Sequence, residues 1–380
     1  MPVGKLLAVH DLVAIDLPGG QPFVDALRRA WDAGDAVLPV DQRISARAKA
    51  AVFESMRPAA VIGPGGRQAL SGGAPVEEGD ALVMATSGTT GSPKGVVLTH
   101  RAVEASARAT SSRLGVDPAR HRWIACLPLN HVGGLSVLTR SLVTGTPCTV
   151  LAGFDAGEVA AASGDDVFVS LVATALARVG PEHFHTVVLG GSAPPGGLAA
   201  NVVTTYGMTE TGSGVVYDGV PLDGVEVKVD PATGEIRLRA PMLLRAYRDG
   251  TLPVDAAGWL PTGDAGRVDE SGRLHVSGRI KEMIVTGGEN VWPAPVEAAL
   301  LAHPKVAEVA VAGAPDGEWG ERVVAYVVAS DPSEPPALAE LRELVKEAVA
   351  PYAAPKQMVL LDALPKTSIG KVRRDLLSPP

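Results

Sequence analysis

Residues 86 to 95, Thr86-Ser87-Gly88-Thr89-Thr90-Gly91-Ser92-Pro93-Lys94-Gly95, directly follow the apolar run Ala81-Leu82-Val83-Met84-Ala85. These ten positions hold three glycines, five hydroxyl side chains and one cation. Glycine lets a backbone N–H approach an anion with no Cβ in the way, the hydroxyls add donors, and lysine adds charge. Such a loop is shaped for phosphate and is set at the end of a buried strand. It differs from a Walker A loop, in which Gly-Lys-Ser/Thr follows four spacer residues, because Pro93 precedes Lys94 and Gly95 follows it. A P-loop kinase or GTPase is disfavoured. A glycine–serine linker is the plain alternative, and Pro93, Lys94 and the apolar segments on both sides count against it.

At 380 residues and 46% hydrophobic content the chain is long enough for two domains with buried cores. Its 34 Lys and Arg against 42 Asp and Glu leave a net charge of −8, which argues against a nucleic-acid-coating protein. Anionic ligands must then be held by local donors. Cys126 and Cys148 lie on separate strand-like runs without metal-ligand spacing, and read as small core residues in a reducing compartment rather than a disulfide. Met1 to Asp16 lacks the continuous apolar core of a signal peptide. The stretch from Val132 to Phe154 is interrupted by Arg140 and falls short of the ~18 uninterrupted apolar residues of a membrane span. A cytoplasmic protein is expected.

Short apolar runs at Trp123 to Leu129, Cys148 to Leu151, Val167 to Val172 and Val187 to Leu189 alternate with Ala-rich helical stretches such as Ala102 to Leu114. That alternation predicts an α/β fold with buried, largely parallel strands. Two hairpins are predicted, Val225 to Val229 with Glu235 to Arg239, and Arg267 to Asp269 with Arg273 to Val276. From about Gly278 the pattern turns to a compact α+β arrangement. Strands are expected at Met283 to Val285, Val306 to Ala312 and Val323 to Val328, with a helix near Pro293 to Leu301. A last helix begins after Pro335 and Pro336, with Leu338, Leu341, Leu344, Val345, Ala348 and Val349 on one face.

Further segments carry chemistry. Tyr206-Gly207-Met208-Thr209-Glu210-Thr211 gathers an aromatic face, a glycine, hydroxyls and a carboxylate, suited to stacking on a purine and holding Mg2+, although a polar loop has the same look. Gly190-Gly191-Ser192-Ala193-Pro194 suits a backbone wall against a flat base and equally a strand-to-helix turn. Gly258-Trp259-Leu260-Pro261-Thr262-Gly263-Asp264 offers a carboxylate for both ribose hydroxyls, with Arg279 further along the chain; an Asp after Gly is otherwise a turn residue. His131, in Pro128-Leu129-Asn130-His131-Val132-Gly133-Gly134, is either a satisfied buried histidine or a group facing substrate. Leu364-Pro365-Lys366-Thr367-Ser368-Ile369-Gly370-Lys371-Val372-Arg373-Arg374 puts Lys371 on a glycine-flanked loop, where a solvated basic tail is the alternative.

Together these segments resemble the motifs of the adenylate-forming superfamily of acyl-CoA synthetases, peptide-synthetase adenylation domains and luciferases, over roughly residues 35 to 375. The resemblance implies a large α/β N-terminal domain of layered sheets and helices, residues 1–278, holding ATP and the acyl pocket. A small mobile α+β cap, residues 279–380, would carry the catalytic lysine. Thr86, Ser87, Gly88, Thr89, Thr90, Gly91 and Lys94 would then surround phosphate. Gly191, Ser192, Ala193 and Pro194 with Tyr206, Gly207, Met208 and Thr209 would surround the nucleoside, and Asp264 and Arg279 would hold the ribose. Glu210, with Thr86 nearby, would hold Mg2+; His131 would lie between the acyl pocket and the pantetheine channel. Lys371 would neutralise charge during adenylate formation, Lys281 would be the hinge, and Gly287, Gly288 and Glu289 would reach the coenzyme A channel. A surface lysine is the other reading of Lys281. The implied chemistry is attack of a carboxylate on the α-phosphorus of ATP, loss of pyrophosphate, and displacement of AMP by a thiol, with the cap turning between steps.

Within the superfamily, Tyr206 to Thr211 followed by Val216-Tyr217-Asp218-Gly219-Val220-Pro221-Leu222-Asp223-Gly224-Val225 resembles the o-succinylbenzoate-CoA ligases of menaquinone biosynthesis. Only 85 residues precede Thr86, as in their short actinobacterial form. The succinyl carboxylate would be activated, with Arg140 or Arg178 as candidates for the ring carboxylate, each otherwise an exposed arginine. The expected partners are ATP, o-succinylbenzoate and coenzyme A, with Mg2+ as the metal, no nucleic acid and no membrane insertion; a homodimer stays open. The alternatives are a ligase for another aryl or fatty acid, a carrier-protein-loading enzyme, and a catalytically silent nucleotide-binding protein. The short tail beyond Lys371 counts against carrier loading, and intact Lys94, Glu210, Asp264, Arg279 and Lys371 count against silence. One departure is Pro295, where the family usually has Glu, which touches only the start of a helix.

Overall fold

The computed structural model describes residues 10–86, 93–366 and 372–377, to which all structural statements refer. The chain divides into two compact units, Met1–Val227 with Leu238–Leu260, and Lys228–Arg237 with Pro261–Pro380. The division thus falls before the expected boundary at residue 278. Strands Leu260–Val268 and Leu274–Arg279 pair with each other and neighbour Glu235–Arg239 in one ladder, which ties residues 261–278 to the second unit rather than the first.

In the first unit two seven-stranded sheets carry the core. The first runs in the order Ala246–Tyr247, Lys94–Thr99, Asp80–Thr86, Ala36–Pro39, Leu12–Ile15, Ala60–Gly63, Gly66–Ala69. Its middle strands are parallel, and Lys94–Thr99 turns antiparallel against Asp80–Thr86. Both faces are buried: Leu82 and Met84 point to one apolar cluster, Val83 to another with Met56. This explains why Ala81 to Ala85 is continuously apolar rather than alternating.

The second sheet has the order Val220–Pro221, Ser213–Tyr217, Val202–Met208, Phe184–Leu189, Gly164–Leu171, Arg122–Ala125, Cys148–Val150. The four expected strands are present and parallel, although the first stops at Ala125, ahead of the turn at Leu129 and Asn130. Here too the parallel run ends in an antiparallel pair, Val202–Met208 with Ser213–Tyr217.

Helices His100–Leu114 and Val132–Thr144 pack on each other and touch both sheets. The first is capped by Thr99 Oγ1, which accepts from Ala102 N at 3.1 Å, and apart from Val103 its inward face is small: Ala102, Ser106, Ala107, Thr110 and Ser111. Small side chains let the helices approach closely. The apolar stretch from Val132 to Phe154 resolves into a helix of 13 residues and a strand. Among the described residues no helix is long and apolar enough to cross a membrane.

In the second unit, hairpin Leu260–Val268 with Leu274–Arg279 is followed by a five-stranded sheet. Its strands are Glu289–Val291, Ile284–Thr286, Gly320–Ala329 and Val306–Asp316, with Gln357–Leu360 parallel to Gly320–Ala329. Helices Pro293–Leu301 and Leu338–Ala348 bury Val296, Leu300, Leu341 and Val345 in the same core as Val309, Val311, Val323 and Val327. Pro295 is accommodated because first-turn N–H groups need no intrahelical acceptor. The last helix has a narrower buried face than expected. Leu341 and Val345 are inside, whereas Val349 lies past the helix end and is exposed.

Candidate functional site

The site in the first unit is built on the two antiparallel reversals. Thr86 and Lys94 stand opposite each other in the ladder, and Thr86 Oγ1 donates to Lys94 O at 3.2 Å. Ser55 Oγ fixes the adjoining Pro93 carbonyl at 2.7 Å. Ser87, Gly88, Thr89, Thr90 and Gly91 lie outside the described residues; their flanks are strand ends facing one another.

The second reversal carries Glu210. After strand Val202–Met208 a single 3-10 turn, Thr209–Thr211, is tied by Thr211 Oγ1, which accepts from Met208 N at 2.9 Å and lies 2.6 Å from Ser213 O. Gly207 is required by close approach: a Cβ there would collide with the Ser213 carbonyl and meet Gly214 Cα at 2.7 Å. Tyr206, Met208, Thr209 and Glu210 are all half-buried. Gly191, Ser192, Ala193 and Pro194 form an exposed segment after strand Phe184–Leu189.

The two reversals meet at Tyr247, which sequence reasoning passed over. Its hydroxyl donates to Glu210 Oε1 at 2.9 Å, and Lys94 Nζ lies 5.3 Å from the centre of its ring. Burial raises the Tyr247 phenol above its ordinary range, and the Glu210 charge and hydrogen bond raise it further, so this hydroxyl stays a donor. The strand Ala246–Tyr247 is held against Lys94–Thr99 and is flanked by two arginines. Arg245 pairs with the buried Asp80 through Nε and Nη2 at 2.8 and 2.9 Å. Arg248 donates to the Met56 and Pro75 carbonyls at 3.0 and 2.8 Å.

His131 is half-buried and caps helix Val132–Thr144 without a side-chain bond to it; its Nε2 is 3.2 Å from Asn130 Nδ2. Gly134 lets this helix begin against the preceding chain, since a Cβ would strike the Leu127 and Pro128 carbonyls. Asp41 feels the charge of His131. Burial raises its carboxyl, but bonds from Arg43 outweigh that and leave it below its ordinary value. Arg140 is not the exposed arginine that was one of its two readings, and its Nε and Nη1 are buried without a hydrogen-bond partner among the described residues. It is 2% exposed, donates to Ser213 Oγ at 2.5 Å and lies over the Trp123 ring at 5.3 Å. Arg178 is exposed and stacks on Phe154 at 5.1 Å.

In the second unit Asp264 and Arg279 are cross-strand partners, with Nε to Oδ1 at 2.8 Å, and Arg279 Nη1 also donates to Thr262 O at 3.1 Å. The arginine thus holds the carboxylate itself. Lys281 is exposed in the 3-10 turn Ile280–Glu282. Gly287 and Gly288, with φ of 61° and 84°, form the left-handed turn of a two-residue hairpin, and Glu289 comes next on the exposed side. Lys371 lies outside the described residues; Lys366 and Val372 on either side are bridged, and Arg374 is anchored to Glu282 and Glu297 at 3.2 and 2.5 Å.

No group of three or more His, Cys, Asp or Glu suited to a metal occurs among the described residues. A single carboxylate such as Glu210 instead fits Mg2+ that takes its remaining oxygens from phosphate and water. Cys126 is buried and Cys148 only half-buried, and burial pushes both thiols up to about 12.

Residues 65–248 match the family of AMP-binding enzymes, and residues 295–371 match the AMP-binding enzyme C-terminal domain. The chain belongs to that adenylate-forming family. It is 41% identical over 378 residues to the probable 2-succinylbenzoate–CoA ligase of Mycobacterium tuberculosis, covering 92% of this chain and 96% of that one. The o-succinylbenzoate CoA synthetase of Bacillus subtilis in complex with the acyl-adenylate intermediate is similar in structure, with a TM-score of 0.86, 29% identity, and coverage of 97% of this chain and 88% of that one. The same enzyme in complex with ATP and a magnesium ion gives a TM-score of 0.85 at 29% identity, over 97% and 89% of the two chains.

Proposed function

We propose that this chain joins o-succinylbenzoate to coenzyme A through an acyl-adenylate, in the manner of the ligases it resembles. A carboxylate is a poor electrophile because attack on it must expel an oxide-like group. Attack of the succinyl carboxylate on the α-phosphorus forms a C–O–P linkage, pyrophosphate leaves, and AMP becomes the leaving group for the thiol. Lys94 and the reversal after Thr86 would receive the phosphates, and the exposed segment 191–194 with Tyr206, Gly207, Met208 and Thr209 would receive the nucleoside. Glu210 would hold Mg2+, which supplies charge neutralisation on the phosphates when bound. Asp264, oriented by Arg279, would accept from the ribose hydroxyls. Lys371, the hinge at Lys281, the channel at Gly287, Gly288 and Glu289, and the gating part given to His131 rest on the motif resemblance alone.

The observation that carries the reading is the meeting of the phosphate-loop lysine and the acidic turn at one tyrosine, in a chain otherwise matched along its length to ligases of this name. A functional boundary near residue 278, inside the second compact unit, a cytoplasmic location and a possible homodimer belong to the same proposal. The purified protein is incubated with Mg2+, ATP and o-succinylbenzoate, then with coenzyme A. Pyrophosphate release and a thioester are expected. Release with a different aryl or fatty acid alone would replace the substrate, release without a thioester would favour carrier loading, and no release with any acid would overturn the enzyme reading.

A further inference from the structure

Strand Ala246–Tyr247 is two residues long, yet it is held by the ladder and by two arginines, which is far more anchoring than a mere edge needs. The anchored side chain is Tyr247. Its hydroxyl reaches Glu210, its ring lies beside Lys94, and Asp249, two residues on, adds its field to both. Lys94 and Glu210 come from different sheets, and no bond between them is needed if each is seated on the same rigid phenol.

We propose that Tyr247 is a positioning residue for adenylation, setting the distance between the phosphate-binding cation and the metal-holding carboxylate before nucleotide enters. This rests on the proposed role of Glu210. The hydroxyl donates to the carboxylate, which leaves the other carboxylate oxygen oriented for metal; the ring limits where the Lys94 ammonium can go. The two functions are separable because one needs the oxygen and the other the ring.

The test uses the whole chain carrying Tyr247→Phe, Tyr247→Leu or Glu210→Gln. Loss of a hydrogen bond to a charged group corresponds to about tenfold in an equilibrium constant. Tyr247→Phe is therefore expected to raise the Mg2+ concentration for half-maximal pyrophosphate release about tenfold, leaving the ATP KM and the saturated rate within about threefold of wild type. Mn2+ binding in the presence of a non-hydrolysable ATP analogue, followed by electron paramagnetic resonance, should weaken by the same factor. Thioester formation from synthetic acyl-adenylate should be retained. Tyr247→Leu should additionally raise the ATP KM, because Lys94 loses its seat. Wild-type Mn2+ affinity in Tyr247→Phe, or equal losses in both half-reactions, would overturn the proposal. Glu210→Gln separates the two layers. If it shifts Mn2+ affinity while Tyr247→Phe does not, only the tyrosine proposal fails; if it too has no effect, the Glu210 reading fails first.

Discussion

Replacing Asp264 with Asn tests the ribose reading in a way that stability cannot mimic. Asp264 and Arg279 face each other across antiparallel strands with Nε to Oδ1 at 2.8 Å, and their side chains are 8% and 46% exposed. The ladder fixes both backbones, so the carboxylate is oriented before any ligand arrives. A hydrogen bond to a charged acceptor contributes about 1.5–3 kcal/mol. Asn keeps the shape and one acceptor but loses the charge, so the lower part of that range applies, and the ATP KM should rise roughly 10- to 30-fold. The half-exposed ion pair itself contributes at most about 1 kcal/mol, so the variant should stay folded, with a melting temperature within a few degrees. Pyrophosphate release is measured with ATP and with 3′-deoxy-ATP. The wild-type enzyme should discriminate against the deoxy nucleotide, and Asp264→Asn should use the two almost alike. A variant that keeps wild-type discrimination while its ATP KM rises would refute the assignment of Asp264 to the sugar.

Gly207→Ala should destabilise the acidic turn by about 1–3 kcal/mol, since the added Cβ meets Ser213 and Gly214 backbone that cannot swing away, whereas Gly153→Ala, with open space around it, should leave the melting temperature unchanged. Both thiols, pushed up to about 12 by burial, should resist iodoacetamide at pH 8 in the native protein and react once it is unfolded; rapid labelling of the folded chain would contradict their placement. Lys371→Ala should lower the adenylation rate by about 10²–10³ while sparing thioester formation from preformed acyl-adenylate. Lys281→Pro should do the reverse, losing the thioester step selectively, and an equal loss in both steps would remove the hinge role.

Long apolar runs were legible because both sheet faces are covered. Ala81 to Ala85 has no alternation to misread, because its strand is buried on both sides, parallel to Ala36–Pro39 and antiparallel to Lys94–Thr99. The loop motifs were legible as strand-end reversals, which is where Thr86, Lys94 and Glu210 lie. Tyr247 was not legible. It sits in a two-residue strand whose only signal is pairing with Val96, ~150 residues away in sequence, and no local periodicity marks so short an element. The surface reading of Arg140 failed for a related reason. A charged residue in an apolar helix suggests exposure or a ligand, whereas here it is buried against Ser213 from a strand and the face of Trp123. The buried face of helix Leu338–Ala348 was overdrawn because periodicity extends as far as the apolar residues do, whereas only Leu341 and Val345 are buried and the helix ends before Val349.

Lys94 and Glu210 both stand where a parallel run gives way to an antiparallel pair. A parallel strand must hand its chain to a crossover that returns at the far end, so its carboxyl edge is lined by ends leading away. An antiparallel reversal brings the chain straight back, and its tip is held on both sides by ladder hydrogen bonds. In the first unit the reversals after Asp80–Thr86 and after Val202–Met208 carry Lys94 and Glu210, while those joining Ala60–Gly63 to Gly66–Ala69 and Ser213–Tyr217 to Val220–Pro221 carry neither. Register then fixes chemistry. Thr86 opposes Lys94, and a one-residue slip of strand Lys94–Thr99 would turn Lys94 to the other face of the sheet, away from Tyr247, at the cost of expelling Val96 and Leu98 from their buried cluster. The same apolar side chains that hold the sheet together therefore set where Lys94, the proposed phosphate-binding cation, stands, and a core substitution at Val96 or Leu98 that loosens register acts on the candidate site without touching a ligand.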